Sequence, residues 1–312
     1  MSTVNATHSF CLRLHRASSG AFLLLALSLV TANATENGIS IYPVGAETVL
    51  PGVMPPAGKT LFAEFDDFYQ ANGLMDGNGR SVVPGFHVRV GAVAGKLTHN
   101  WGVKFLGGEL ATWAALPVLY EHLDGPFGNL QKTGVGNPDI GVLSLVYHRS
   151  AWHWWYGVDT LTPGWQYKKT DILNVGQHNY AVAADGAFSY LPQRGATEVS
   201  SKIQYIVNYT DGATDYRSGG EFIWEYNALH NITKKLSFGV DGYYYQQLTD
   251  DRQGGVDIGN RGRVFAVGPE FRYHIGKVIS VLKYQKETLV ENRTRGGALW
   301  AEFGVPLWHH ED

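Results

Sequence analysis

The feature that most limits what this chain can fold into is a two-residue rhythm. It is clearest at Val199, Ser201, Ile203, Tyr205, Val207 and Tyr209, interleaved with Ser200, Lys202, Gln204, Ile206 and Asn208. Successive side chains of a strand point to opposite sides, so such alternation marks strands whose two faces meet different surroundings. The rhythm returns where Phe86, Val88, Val90 and Ala92 alternate with His87, Arg89 and Gly91, where Phe222, Trp224 and Tyr226 alternate with Glu221, Ile223 and Glu225, and where Leu236, Phe238 and Val240 alternate with Ser237, Gly239 and Asp241. Charges keep to one parity, and no segment shows the spacing of an amphipathic helix. The chain therefore reads as all-β, and the question becomes which face looks outward.

Only 17% of the residues are charged, against about a quarter in soluble proteins. The formal net charge is −3, and no basic block offers nucleic acid a surface. Residues 1–34 read as a removed secretory signal: Arg13 and Arg16 precede the apolar run 21–30, and Ala32-Asn33-Ala34 forms a small-x-small cleavage site. That run is too short for a membrane-spanning helix, which needs about 20 apolar residues. The only cysteine, Cys11, falls inside this segment. A mature chain beginning near Thr35 would hold no disulfide, thiolate metal site or cysteine nucleophile.

Residues 35–59 carry Pro43, Gly45, Pro51, Gly52, Pro55, Pro56 and Gly58, a density that favours an extended, irregular segment. From Thr60 onward the rhythm predicts strands over 60–69, 82–97, 101–112, 138–148, 152–162, 179–190, 197–210, 219–229, 235–246, 262–274, 278–286 and 297–308, separated by turns such as Asp76-Gly77-Asn78-Gly79 and Asp211-Gly212. About 12 strands, within a range of roughly 10 to 14, of a length that crosses a bilayer when tilted, close into an antiparallel transmembrane β-barrel without edges. Aromatic residues near strand ends, including Trp101, Trp152, Trp154, Trp155, Trp224, Trp300 and Trp308, suit interfacial girdles. The barrel is expected over 60–308, ending in the apolar alternation of Leu299, Ala301, Phe303, Val305 and Leu307, with 309–312 as a short polar tail. A secreted soluble barrel with an apolar core is the alternative fold.

Several turn patterns carry a family resemblance: Tyr42-Pro43-Val44-Gly45, Leu50-Pro51-Gly52 with Pro55-Pro56, Asp76-Gly77-Asn78-Gly79, Gly134-Val135-Gly136-Asn137-Pro138-Asp139, and the terminal strand. Through them the chain resembles the MetA-pathway phenol-degradation family of outer-membrane barrels, which includes sphingosine-induced members and is similar in outline to fatty-acid and aromatic-hydrocarbon channels. The resemblance implies location in the outer membrane of a Gram-negative bacterium and passive uptake of hydrophobic or aromatic small molecules, such as phenols, fatty acids or sphingoid lipids. It implies outer-membrane lipid and the barrel-assembly machinery as partners. No cofactor is expected. An outer-membrane lipid hydrolase, or a structural or ligand-binding barrel without transport, is the alternative; His178-Asn179 near a rim is the feature that raises the hydrolase, but no Gly-x-Ser-x-Gly elbow accompanies it.

If the apolar parity faces lipid, the lumen receives His87, Arg89, Lys104, Asp159, Lys202, Gln204, Asn208, Glu221, Glu225, Asp241, Glu270, Arg272 and Glu302. Both signs are present, so pairing across the lumen competes with a role in orienting the polar end of a solute. Lys283 stays outside this set, because Ile279 and Val281 share its parity. Residues 35–59, with Pro51, Pro55 and Pro56, are expected either to plug the lumen and gate passage or to form a periplasmic tail. Pro117, with Gly107 and Gly108, is the expected place for a wall defect through which an apolar solute leaves sideways. No catalytic residue and no metal site is expected; His148 and His153, and the run His309-His310-Glu311-Asp312, fall short of a ligand set.

Overall fold

The alternating segments are strands in a computed structural model of the chain, which describes residues 38–126 and 128–308. The expected signal segment and the polar tail fall outside the described residues. In chain order the strands are β1 (Thr60–Leu74), β2 (His87–Phe105), β3 (Gly108–Gly125), β4 (Gly128–Val135), β5 (Asp139–Arg149), β6 (Trp152–Leu161), β7 (Ala181–Tyr190), β8 (Thr197–Asn208), β9 (Tyr216–Arg217), β10 (Glu221–Asn231), β11 (Leu236–Gln247), β12 (Asp251–Gln253), β13 (Val256–Gly259), β14 (Arg263–Ile275), β15 (Val278–Glu291) and β16 (Thr294–Pro306). Each long strand pairs antiparallel with its neighbours, and the ring closes where β1 meets β16, from Leu61 opposite Pro306 to Leu74 opposite Thr294. The result is a closed barrel of twelve strands with β4 as an extra strand on β3. Strands β9, β12 and β13 form a separate small sheet.

Closure of the twelve-strand ring leaves no edge except along the added strand β4, and closed ladders are the condition for strands to sit in hydrocarbon. The faces follow. Val93, Leu97, Val118, Ile140, Val158, Val199, Ile203, Phe238, Val240, Phe271, Leu282 and Leu299 are exposed, whereas Lys202, Gln204, Glu221, Glu225, Asp241, Lys283 and Gln285 are buried. A soluble protein has the opposite arrangement. Tight turns join strands at one end, as at Leu106–Gly107, where both residues have positive φ and make the two-residue hairpin connection that glycine suits. Longer connections, 75–86, 162–180, 209–220 and 248–262, gather at the other end.

The twelve predicted strands match the twelve barrel strands in number, with one displaced. The segment 101–112 straddles the β2–β3 turn, and β3 runs on to Gly125 through Pro117. Pro117 is tolerated because β3 changes partner there: Glu109–Ala115 pair with β5, and Val118–Gly125 pair with β4. The Gly136 N–H donates to the Pro117 carbonyl (3.0 Å), so the missing N–H of Pro117 faces the same break at 136–138. Pro269 likewise lies where the β14–β15 ladder is interrupted between Val267 and Glu270, and Pro306 ends β16. The aromatic girdle is partial, since Trp155 and Trp300 are buried.

Candidate functional site in the barrel lumen

Residues 38–59 run the length of the lumen. Near the loop end the Gln177 side chain donates to the Ile39 carbonyl, and the Ser40 hydroxyl donates to Glu221 Oε2 (2.6 Å). Midway, Glu225 accepts the Gly45 N–H (2.6 Å) and the Tyr42 hydroxyl (3.1 Å), and the Thr48 hydroxyl donates to Asp241 (3.0 Å). Toward the turn end the Leu50 N–H donates to Glu198 (3.1 Å), the Trp155 indole N–H to the Pro51 carbonyl (2.6 Å) and the Asn100 amide to the Pro55 carbonyl (2.9 Å). A segment rich in proline and glycine leaves its backbone without ladder partners, and inward-facing wall side chains supply them. Apolar side chains seat it as well: Ile41 and Tyr42 pack in one buried cluster with Leu161, Ile206 and Tyr245, and Met54 packs in another with Trp113, Val146 and Trp155.

Two glycines of the segment are required by close approach. A Cβ on Gly52 would lie 2.3 Å from Ser189 N and 2.5 Å from the His153 carbonyl, both wall backbone. Gly45 has φ +95°, and its Cβ would lie 2.3 Å from Gln285 Oε1. These are glycines of the two turn patterns noted in the sequence.

The charges form one centre around the segment. Glu47, its only acid among the described residues, bridges two wall lysines: Lys202 Nζ at 2.7 Å and Lys96 Nζ. Lys202 also has Asp185 at 3.7 Å and donates to the Tyr42 hydroxyl (3.2 Å). Lys283 donates to the Gly45 and Ala46 carbonyls (2.9 and 3.1 Å) and pairs with Glu302 (2.6 Å). Arg272 sits between Glu198 and Glu270. The lumen is thus held by paired charges, and both signs reach the segment.

Ten of the thirteen expected lumen residues are buried in this interior: Asp159, Lys202, Gln204, Asn208, Glu221, Glu225, Asp241, Glu270, Arg272 and Glu302. Three are not. His87 and Arg89 lie on the parity of exposed Val93 and Leu97, with Arg89 exposed beside Asp124 (3.5 Å). The parity of Val88 instead faces inward, where Phe86, Val88 and Leu123 make an apolar cluster, and it continues to the buried Lys96, Thr98 and Asn100. Lys104 is exposed beyond a register shift after Asn100, opposite Glu109 at the turn end. Gly107 and Gly108 belong to the β2–β3 turn and do not border Pro117, which lies nine residues along β3, about 30 Å away. Pro51, Pro55 and Pro56 all lie at the turn-end half of the luminal segment, with Pro56 exposed. Lys283, Lys96 and Glu47 are the residues sequence reasoning missed. Lys283 shares its inward face with Val281, a buried apolar neighbour that masked its parity.

A family model described as putative MetA-pathway of phenol degradation matches residues 71–303. Among solved structures, an outer-membrane channel from Pseudomonas putida F1 superposes with a TM-score of 0.71 at 15% identity, covering 81% of this chain and 97% of that one. Two looser likenesses are a CymD monoaromatic hydrocarbon channel (TM-score 0.46, 8% identity, 82% and 90% covered) and the β domain of the Bordetella autotransporter BrkA (TM-score 0.46, 11% identity, 80% and 99% covered). No curated protein matches the chain by sequence. At 15% identity the first of these superpositions establishes the barrel fold alone.

Proposed function

The chain belongs to the putative MetA-pathway of phenol degradation family, and on that premise we propose that it is an outer-membrane channel admitting hydrophobic or aromatic small molecules by passive diffusion, with residues 38–59 as the element that closes it. One observation carries this reading: residues 38–57 occupy the lumen through side-chain contacts with the wall, and backbone bonds to β2 begin only at Gly58, so removing 38–57 frees a passage without breaking a barrel ladder. Closed barrels carry short turns on the periplasmic side and longer loops outside, which puts Ile39 toward the outer face and Pro55 toward the periplasm. An apolar solute would leave sideways at Pro117, where β3 changes partner. That break is closed by the 162–180 loop: the Asn137 amide donates to the carbonyls of Thr162 and Gln177 (2.8 and 2.9 Å), and Gly164 and Gly176 pack at backbone contact beside Gly136.

The test is a deletion of residues 38–57, reconstituted in planar bilayers and in liposomes. Single-channel conductance is expected to rise, and swelling rates in phenol-sized solutes are expected to grade with solute size. Unchanged conductance in a folded barrel would refute the segment as the closing element, and ungraded swelling would refute the channel.

A further inference from the structure

The loop end holds a second constellation that the luminal reading does not use. A cavity of about 680 Å³ opens between the 162–180 and 209–220 connections, lined by Trp165, Tyr167, His178, Asn179, Tyr180 and Thr210. Trp165 is 66% exposed and Tyr180 58%, large rings that the fold does not bury. Tyr167 stacks on the His178 imidazole, with centroids 5.0 Å apart and planes within 16°.

His178 is held by a fixed partner. Its Nδ1 lies 2.9 Å from Asp211 Oδ1, and the same oxygen accepts the Ala213 N–H (2.7 Å). Asp211 is buried at the start of its loop, its N–H donating to the Tyr216 carbonyl and its own carbonyl accepting the Asp215 N–H. Burial pushes the Asp211 carboxyl up, but the His178 ring, the Ala213 N–H and the Tyr167 hydroxyl outweigh it and hold it below the usual carboxylate range. A carboxylate at Nδ1 fixes the neutral imidazole as the Nδ1–H tautomer, which leaves Nε2 an acceptor. Nε2 makes no hydrogen bond among the described residues, and the ring is half-exposed.

We propose that this cavity is a recognition site for hydroxylated aromatic rings, with the ring against Trp165 and Tyr180 and its hydroxyl donating to His178 Nε2. The proposal rests on the channel reading for its physiological sense and deepens it, by separating phenol-type solutes from hydrocarbons of equal size. A phenolic O–H meets the lone acceptor, a bare arene leaves it to water, and an aromatic carboxylate brings a second negative charge toward Asp211. The position suits capture at entry. Gln177, beside His178, holds the Ile39 carbonyl, and Asn179 donates to Asn208 (3.1 Å), which donates to the Glu221 that anchors Ser40.

The experiment is ligand-observed ¹⁹F NMR on the full barrel in dodecyl maltoside at about pH 8, below the ordinary phenol range, with 4-fluorophenol and 4-fluoroanisole as probes. The ether keeps the ring, lacks the donor and controls for micelle partition. The wild type is expected to bind 4-fluorophenol roughly five- to tenfold more tightly, the worth of one neutral hydrogen bond. His178→Phe keeps a ring for Tyr167 to stack on and should abolish the preference. Trp165→Ala, at an exposed site that leaves the fold intact, should weaken both probes together. No preference in the wild type, an unchanged preference in folded His178→Phe, or undiminished binding in Trp165→Ala each overturns the site. Solute flux in wild-type liposomes is read separately. Preference without flux supports the site and refutes transport, whereas flux without preference removes the site and leaves transport standing.

Discussion

Replacing Glu47 with glutamine removes the luminal segment's own negative charge, which pairs with Lys96 and Lys202 of the wall. In the seated state Lys202 is almost wholly buried, and Lys96 and Glu47 nearly so. Removing one partner of a buried ion pair costs about 3–5 kcal/mol, because the remaining charge is left uncompensated. Here the cost is smaller. Lys202 keeps Asp185 at 3.7 Å and the Tyr42 hydroxyl at 3.2 Å, and a glutamine oxygen still accepts one hydrogen bond. About 2–3 kcal/mol of seating free energy is therefore expected to go, since the released state lets water solvate both lysines. At 1.4 kcal/mol per factor of ten this raises the open-to-closed ratio roughly 30- to 150-fold. Dwell-time analysis of single channels in planar bilayers measures that ratio directly. Lys96→Gln in the same background should recover part of it, because the stranded ammonium disappears, giving a coupling of about 1 kcal/mol or more in a double-mutant cycle. A Glu47→Gln channel whose open-to-closed ratio stays within about twofold of wild type, below half a kcal/mol, refutes the pairing as the latch.

Gly52→Val should displace the turn-end half of the segment, since its side chain meets wall backbone at 2.3 to 2.5 Å; conductance should approach that of the 38–57 deletion, while heat-modifiable gel migration shows an intact barrel. Pro117→Val supplies an N–H facing the 136–138 break and should slow uptake of an apolar arene but spare folding; equal uptake argues against a sideways exit. For Asp211 the sign is set by its lowered pKa. A carboxyl lowered in the folded state stabilises the docked loops above its unfolded value of about 3.9, and that contribution is lost as pH falls through the folded value. Hydrogen exchange in 162–180, corrected for intrinsic rate, should stay protected down to about pH 4 and then rise, and Asp211→Asn should lose that acid transition. A midpoint above about pH 5 would assign the docking to another group.

The strands that were legible in the sequence are those with one parity mostly apolar and uncharged and the other carrying the charges, as in β8, β10 and β11. Period two then separates the faces, and the structure places the apolar one outward, with Ile203, Phe238 and Val240 exposed and Lys202 and Asp241 buried. β2 misled because apolar residues serve on both sides. Val88 faces an apolar patch of the interior while Gly91 and Gly95 dilute the outward face, so parity inverted and carried His87 and Arg89 with it. β3 was hidden by Pro117 and the run from Leu110 to Tyr120, where neither face is charged. Lys283 was lost to Val281 for the same reason. The ion-pair centre was beyond reach in principle, because Glu47 meets Lys96 and Lys202 only after closure sets distant strands side by side.

The turn patterns behind the family resemblance gain a physical meaning from this geometry. Gly45 and Gly52 are where the luminal segment touches side chain or backbone of the wall too closely for a Cβ, and Gly136 with Asn137 marks the break that the 162–180 loop closes. None of these residues lines the loop-end cavity. The family match over 71–303 takes in the Gly136–Asn137 break but neither segment glycine, so the shared sequence reports the barrel and its sealed wall break. On the proposed channel reading, a solute preference is expected in residues outside these turn patterns. The exposed aromatic and imidazole side chains of the 162–180 loop fit that requirement, since changing them disturbs neither ladder nor seat. Grafting Trp165, Tyr167, His178 and Tyr180 with Asp211 onto a family member lacking them should transfer the 4-fluorophenol preference without altering conductance; a folded graft with no such preference would place selectivity outside this cavity.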